Sequence, residues 1–376
     1  MDEIISVKPG LLKRLGLRIR GNSGIILLTV LWMLVILTIL SVGLGQRAGM
    51  EISLTQYALG QLQSRYLGWA GLMYSMKQID LDAQDAQTSQ FDTLYHCAVR
   101  LEEGQSPEDV FQRRELGGGY FEIVHTLSQR SWAPPKKNRK IFGFRDEERR
   151  INVNALTAQN YLILKNLIVL LGFDEQAAEE VGSAVVDWRD SDQEISVPAG
   201  AEDGYYVGLS KPYHCKDRPL DSLEELFLVK GMTEEIFKSI KNYVTIYPKE
   251  GNLLVNFDTA PELVIQAVAR SVVGGSTNAD LSDADSLAAK MIFYRQGEDG
   301  QEYTADDRQM TVEELNLNSK EEALLRTMER YRTKVSNHIR VRIEARDERR
   351  AGRTDIEAII YRPDLSLLYW GRSRGD

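Results

Sequence analysis

Asp187, Asp190, Asp192, Glu194, Glu202 and Asp203 place six carboxylates within seventeen positions. Crowded carboxylates without partners repel one another and raise each other's pKa values. A hard cation relieves that repulsion, and Ca2+ accepts about six to eight oxygen ligands in flexible geometry. The Asp190–Asp192–Glu194 spacing can turn alternate side chains of a turn toward one centre. The strict EF-hand pattern is absent, because no glycine sits at its sixth place. Two readings without a metal stand beside this one: a solvated acidic loop, or ion pairs to Arg189 and Arg218. A second acidic stretch, Glu298 to Asp307, is the weaker candidate, with a plain surface loop as its alternative.

Nothing else in the chain assembles into a catalytic set. His96, His125, His214 and His338 are scattered, without a nucleophile or an HExxH pattern beside them. The phosphate-loop, dinucleotide and nucleophile-elbow signatures are missing. Cys97 and Cys215 rule out a disulfide scaffold and a four-cysteine zinc site. They could pair in an oxidising compartment, although nothing in the sequence brings them together. Tyr205, Tyr206 and Tyr213 read as packing between loop and helices. A net charge of −9 argues against a nucleic-acid coat, which needs a basic surface.

The elements that carry these residues begin with an uncharged stretch. Ile25 to Gly45 is apolar throughout, and about 20 such residues cross a bilayer as a helix. Lys8, Lys13, Arg14, Arg18 and Arg20 precede it against Asp2 and Glu3, which keeps the N-terminus cytoplasmic and sends the rest across. The pattern continues through Met50, Leu54, Tyr57, Leu62, Tyr66 and Trp69 at helical spacing, so one long helix is expected.

Farther on, Ser106–Pro107–Glu108 is a helix start and Tyr120 to Leu127 a strand. Ile141 to Arg150 reads as a second strand. Ile339 to Arg346, Ile356 to Tyr361 and Leu365 to Trp370 read as three antiparallel strands with one solvated face. Between them lie helices: Leu162 to Leu171, a second from Phe173–Asp174 to Trp188, Leu220 to Val229, Glu234 to Val244, and Glu262 to Val273 with Pro261 in the first turn. Strands interrupted by helices imply an insertion in a sheet. Asn252 to Pro261 and Ile151 to Leu156 read as two copies of one strand-to-helix element.

The basic leader, Gly24 and the long apolar helix together resemble the type IV prepilins and type II secretion pseudopilins. The order DWRDSD, GAEDGYY, PY, RPL, EEL and GM from Asp187 to Met232 resembles, more narrowly, the minor pseudopilin family called general secretion pathway protein K. The resemblance implies an α+β fold: a pilin-like N-terminal transmembrane helix packed on an antiparallel sheet, with a large all-helical insertion. It divides the chain into a leader (1–24), a transmembrane helix (25–46), the first part of the pilin-like periplasmic domain (47–154), a helical insertion with acidic loops (155–332) and the closing strands (333–376). It implies a cut by prepilin peptidase between Gly24 and Ile25, followed by methylation of Ile25. The Glu that most relatives carry five residues into the mature chain falls on Thr29 here, a departure typical of the K class.

Such a subunit is a non-catalytic inner-membrane protein at the tip of the pseudopilus. It initiates assembly with I- and J-class partners, then the H class and the major pseudopilin, facing secreted substrate or the outer-membrane secretin. The resemblance also implies calcium in the helical domain, with Asp187, Asp190, Asp192, Glu194, Glu202 and Asp203 as candidate ligands. Two rivals share parts of the pattern. One is a minor pilin of a type IV pilus. The other is a membrane-anchored DNA-uptake protein, because Ser222 to Met232 resembles a helix-hairpin-helix unit. Glu224, Glu225, Glu234 and Glu235 around that hairpin repel phosphate, so no nucleic acid is expected as partner.

Overall fold

A computed structural model describes residues 23–127, 139–197, 199–274 and 278–372. Of the basic leader (1–24), residues 1–22 lie outside the described residues. The chain forms two compact units, Met1–Gly60 and Gln61–Asp376.

In the first unit a single helix, α1 (Ser23–Ala83), begins. Its apolar stretch has a mean hydropathy of 2.9 and buries none of its residues in protein. Leu27 is 72% exposed and Met33 66%, a surface that suits lipid and not water. Two threonines here are satisfied by the helix itself. The Thr29 hydroxyl donates to the Ile26 carbonyl at 2.8 Å and the Thr38 hydroxyl to that of Leu34 at 2.6 Å, as a hydrocarbon setting requires.

In the second unit, α1 residues Ser64, Leu67, Leu72, Ser75 and Ile79 recur at spacings of three to five and are buried. They meet a core of Phe121, Ile123, Val341, Ile343, Ile356 and Ala358. Gly68 and Gly71 permit the close approach. A Cβ on Gly68 would collide with Ile356, and one on Gly71 would lie 2.7 Å from Ile343. At the end of α1, Arg362 spans Asp82 and Asp92, holding Asp92 at 3.0 Å with all three side chains buried.

The short helix α2 (Pro107–Phe111) starts on a Ser106–Asp109 capping box. The sheet then assembles β1 (Arg114–Leu116), β2 (Gly119–Leu127), β3 (Arg139–Phe142), β4 (Arg145–Asp146) and three late strands. The late strands are β9 (His338–Asp347), β10 (Gly352–Tyr361) and β11 (Ser366–Arg372). The order is β1-β2-β9-β10-β11, with β3 on β2 and β4 on β9. All these pairings are antiparallel. Early and late strands thus pair across the helical region, with Ile123 opposite Ile343. The expected second strand is broken, because Gly143 at φ +130° separates β3 from β4.

The helical region contains two copies of one design. Copy one opens with β5 (Ile151–Asn152), passes through α3 (Leu162–Leu170), α4 (Glu175–Asp187), α5 (Asp203–Tyr206) and α6 (Glu234–Ile240), and closes on β6 (Val244–Thr245). Copy two opens with β7 (Val255–Asn256), passes through α7 (Glu262–Ser271), α8 (Leu281–Arg295) and α9 (Ser319–Met328), and closes on β8 (Arg332–Thr333). Each opening strand pairs in parallel with its closing strand. Asn152 accepts from the Asn154 amide at 2.9 Å, and Asn256 from the Asp258 amide at 3.0 Å. Arg189 donates to the carbonyls of Asn154 and Leu156, and Arg295 to those of Phe257 and Ala260. Asn154 then accepts from the Leu220 amide at 2.8 Å, and Asp258 from that of Met310 at 2.6 Å.

Three helix expectations change. Leu220 to Val229 holds a 3-10 turn over Leu223–Leu228, started by a Ser222–Glu225 capping box. The next helix stops at Ile240, since Val244–Thr245 is taken as the partner of Ile151–Asn152. Pro261 is the N-cap of α7 and stands just outside the first turn.

Candidate metal centre

Asp187 ends α4, whose start is fixed by Asp174 accepting from the Gln176 and Ala177 amides. Its helix face carries Ala178, Val181, Ala184 and Val185 into the core, so Asp187 arrives fully buried. One carboxylate oxygen accepts from the Ser196 amide at 3.1 Å. The other, Oδ2, is buried and has no partner. Gly200 closes the loop over it: a Cβ there would collide with that same oxygen.

Glu202 is 6% exposed, and both of its carboxylate oxygens lack a partner. Asp190 completes the group. Its Oδ2 accepts from the Ser196 hydroxyl at 3.2 Å, and its Oδ1 is buried and unpartnered. One oxygen from each of Asp187, Asp190 and Glu202 lies within 4.8 Å of the others. Burial pushes the Asp187 carboxyl up to about 6, with Asp190 and Asp192 adding repulsion. Burial, then Asp187 and Asp190, pushes Glu202 up to about 7. Asp190 rises by burial and by the charge of Asp192.

Among the described residues no cation forms an ion pair with this set, although the charge of Arg189 partly offsets the rise of Asp190. Arg189 is turned away onto the carbonyls of Asn154 and Leu156, and burial lowers its own pKa to about 10. Lys230 donates to the carbonyls of Ala199 and Gly200 at 3.2 and 3.4 Å. Those unpartnered oxygens fit a hard divalent cation, which prefers carboxylate and carbonyl oxygen.

The other three candidates stand elsewhere. Asp192 and Glu194 are exposed, and Asp192 accepts from the Glu194 amide at 2.8 Å. Asp203 opens α5, where it meets His214 Nδ1 at 2.7 Å and accepts from the Cys215 amide at 2.6 Å. Those two bonds hold its carboxyl below the usual range.

Sequence reasoning missed Asp217 and Cys215, which form a second group with Glu202. Asp217 takes φ +52° and its amide donates to the Trp188 carbonyl, so the chain returns to the end of α4 there. Cys215 is a poor ligand for a hard cation. Its thiol is pushed up by burial and by Glu202 and stays protonated. Cys97 and Cys215 are both buried free thiols in separate cores, so the disulfide is not formed.

The second acidic loop uses its carboxylates differently. Asp306 accepts from the Glu298 and Asp299 amides at 2.7 and 3.1 Å and from the Thr304 hydroxyl at 2.8 Å. Glu302 pairs with Arg295. Asp307 accepts from the Tyr303 amide at 2.9 Å, and burial pushes its carboxyl up to about 7. Among the described residues, no three ligand groups of this loop converge.

A family model described as type II secretion system (T2SS), protein K matches residues 149–249, the span of copy one. The type II secretion system protein K of Pseudomonas aeruginosa is 22% identical over 352 residues, 89% of this chain and 95% of its own length. That of Aeromonas hydrophila is 27% identical over 243 residues, 64% of this chain and 68% of its own. Among solved structures, a chain of the GspK-GspI-GspJ complex from enterotoxigenic Escherichia coli superposes with a TM-score of 0.56 at 16% identity, covering 84% of this chain and 97% of that one.

Proposed function

We propose, from the premise that this chain belongs to the type II secretion system protein K family, that it is the tip subunit of the pseudopilus. Membership makes it a minor pseudopilin of type II secretion, a structural component anchored by one apolar helix. The observation that carries the tip reading is the helix α1 itself. It joins a lipid-suited surface to a segment packed under the sheet. At Thr29, where an assembling subunit would carry Glu, its hydroxyl is spent on the Ile26 carbonyl. Without a charge there, no subunit above can pair with it through the low-dielectric contact that Glu supplies.

In this reading prepilin peptidase cuts after Gly24, removing residues 1–24, and Ile25 is methylated. The anchor spans 25–46 in the inner membrane, with the later domains, including the insertion at 155–332, in the periplasm. The partners are the I- and J-class minor pseudopilins, named with a K subunit in the complex above, then the H class and the major pseudopilin. The free end faces substrate or the secretin, and no catalysis is performed. Calcium binds at Asp187, Asp190 and Glu202, whose unpartnered oxygens support it.

The test is the mature N-terminus, measured by mass spectrometry on protein from membranes with active prepilin peptidase. A chain starting at methylated Ile25 is expected. A chain starting at Met1 would leave a plain anchor and overturn the pseudopilin reading of the leader.

A further inference from the structure

Away from both acidic loops, a cleft of about 330 Å³ lies where β9 and β10 meet α6 and the Leu223–Leu228 turn. Arg145, Arg150, Arg340, Arg342 and Lys241 line it against Glu224 and Glu357. This cationic lining stands out in a chain whose net charge is −9.

Glu357 is held by Arg340, which also takes Glu147. Arg150 reaches Glu147 only at 3.6 Å. Glu224 is exposed to solvent. The Nε atoms of Arg145 and Arg150 are buried without a partner, as are both ring nitrogens of His125. Arg150 is 6% exposed and His125 4%.

Burial, reinforced by Arg149, pushes Arg145 down to about 10. Burial lowers Arg150 to about 9 despite Glu147. A buried guanidinium short of counter-charge is costly. An oxyanion removes that cost, because the planar fork of an arginine matches two oxygens of a carboxylate or phosphate.

We propose that this cleft binds a small oxyanion, a phosphate or a carboxylate, through Arg145 and Arg150, with Lys241 at the rim and His125 as a buried donor. Burial and the neighbouring arginines keep His125 neutral, with one N–H to give. The ligand bridges the sheet and copy one of the helical region, and its binding is independent of the acidic loop and of calcium.

The test is calorimetric titration of the full chain in detergent, with inorganic phosphate in one arm and citrate in the other. Saturable one-to-one binding in either arm is expected, and the stronger arm identifies the source. Arg145→Gln should weaken it about tenfold or more, equal to about 1.4 kcal/mol, and Arg145→Lys should retain most of it. Lys241→Gln, at an exposed position that does not threaten folding, should weaken it several-fold. Failure of both anions to bind the parent chain would overturn the proposal, and so would unchanged binding in Lys241→Gln and a folded Arg145→Gln. Either failure would leave the processing at Gly24 untouched.

Discussion

The two copies in the helical region share a scaffold and differ in one loop. Both open on an Asn turn, both end their second main helix on an aromatic–Arg pair, Trp188–Arg189 and Tyr294–Arg295, and both aim that arginine at the carbonyls of the opening turn. Beyond the arginine they part. Copy two closes Asp306 on its own amides and Glu302 on Arg295, and its unpartnered oxygens, on Asp258 and Asp307, do not gather with two further ligands among the described residues. Copy one leaves Asp187, Asp190 and Glu202 with buried oxygens that nothing satisfies. An acidic loop is therefore not a metal site by composition. The distinction lies in whether the unspent carboxylates converge.

The largest effects should be common to both copies. Arg189→Met and Arg295→Met should each destabilise the fold by about 2–4 kcal/mol, because buried carbonyls lose their donor. Arg295→Met should be the worse, since it also strands Glu302. Chemical denaturation measures both, and a change below about 0.5 kcal/mol in either would break the structural equivalence of the copies.

Next comes the effect that should separate them. Calcium at a hundredfold excess over its dissociation constant should add about 2.7 kcal/mol. Asp187→Asn, Glu202→Gln and Gly200→Ala should each abolish that gain, whereas Asp307→Asn should leave it intact. Thermal melts with calcium and with chelator decide the matter. A calcium gain that survives Asp187→Asn would sink the proposed site.

A smaller effect is the pH dependence without metal. Asp187 and Glu202 titrate at about 6 and about 7 in the fold, above the ordinary carboxylate value of about 4. The folded chain then holds more protons than the unfolded one between those values, and stability falls as pH rises through that window. Asp307, at about 7, contributes the same sign. Calcium should flatten the slope due to copy one only, which melts from pH 4 to 8 at intervals would reveal. Smallest of all, Lys238→Gln in the exposed Glu234–Lys238 pair should leave stability unchanged within error.

Much of this was legible in the sequence. Ile25 to Gly45 carries no charge, which only lipid or a deep core tolerates, and Ile339 to Arg346 alternates with the period of a strand. The likeness of Ile151–Leu156 to the Asn252–Pro261 stretch pointed to the paired turns. The α8 helix was harder, since Leu281–Arg295 mixes Ser, Asp and Lys among its apolar residues and has only a weak apolar face. The centre itself was half legible. Asp187, Asp190 and Glu202 were named, but so were Asp192, Glu194 and Asp203, because spacing along a loop does not reveal which carboxylates turn inward. Asp217 stood too far from Asp187 for any local signal to join them.

The Arg362 bridge between Asp82 and Asp92 has a mechanical consequence. In the proposed tip position, a fibre growing from its base would load α1. Within the second unit, load on Gln61–Ala83 passes into the sheet along a packed strip, where Gly68 and Gly71 bring helix and strands into register with no slack. The ion bridge at the end of that strip acts as a thrust stop. Sliding the helix would require breaking every contact of the strip at once, so the joint resists shear more than it resists peeling.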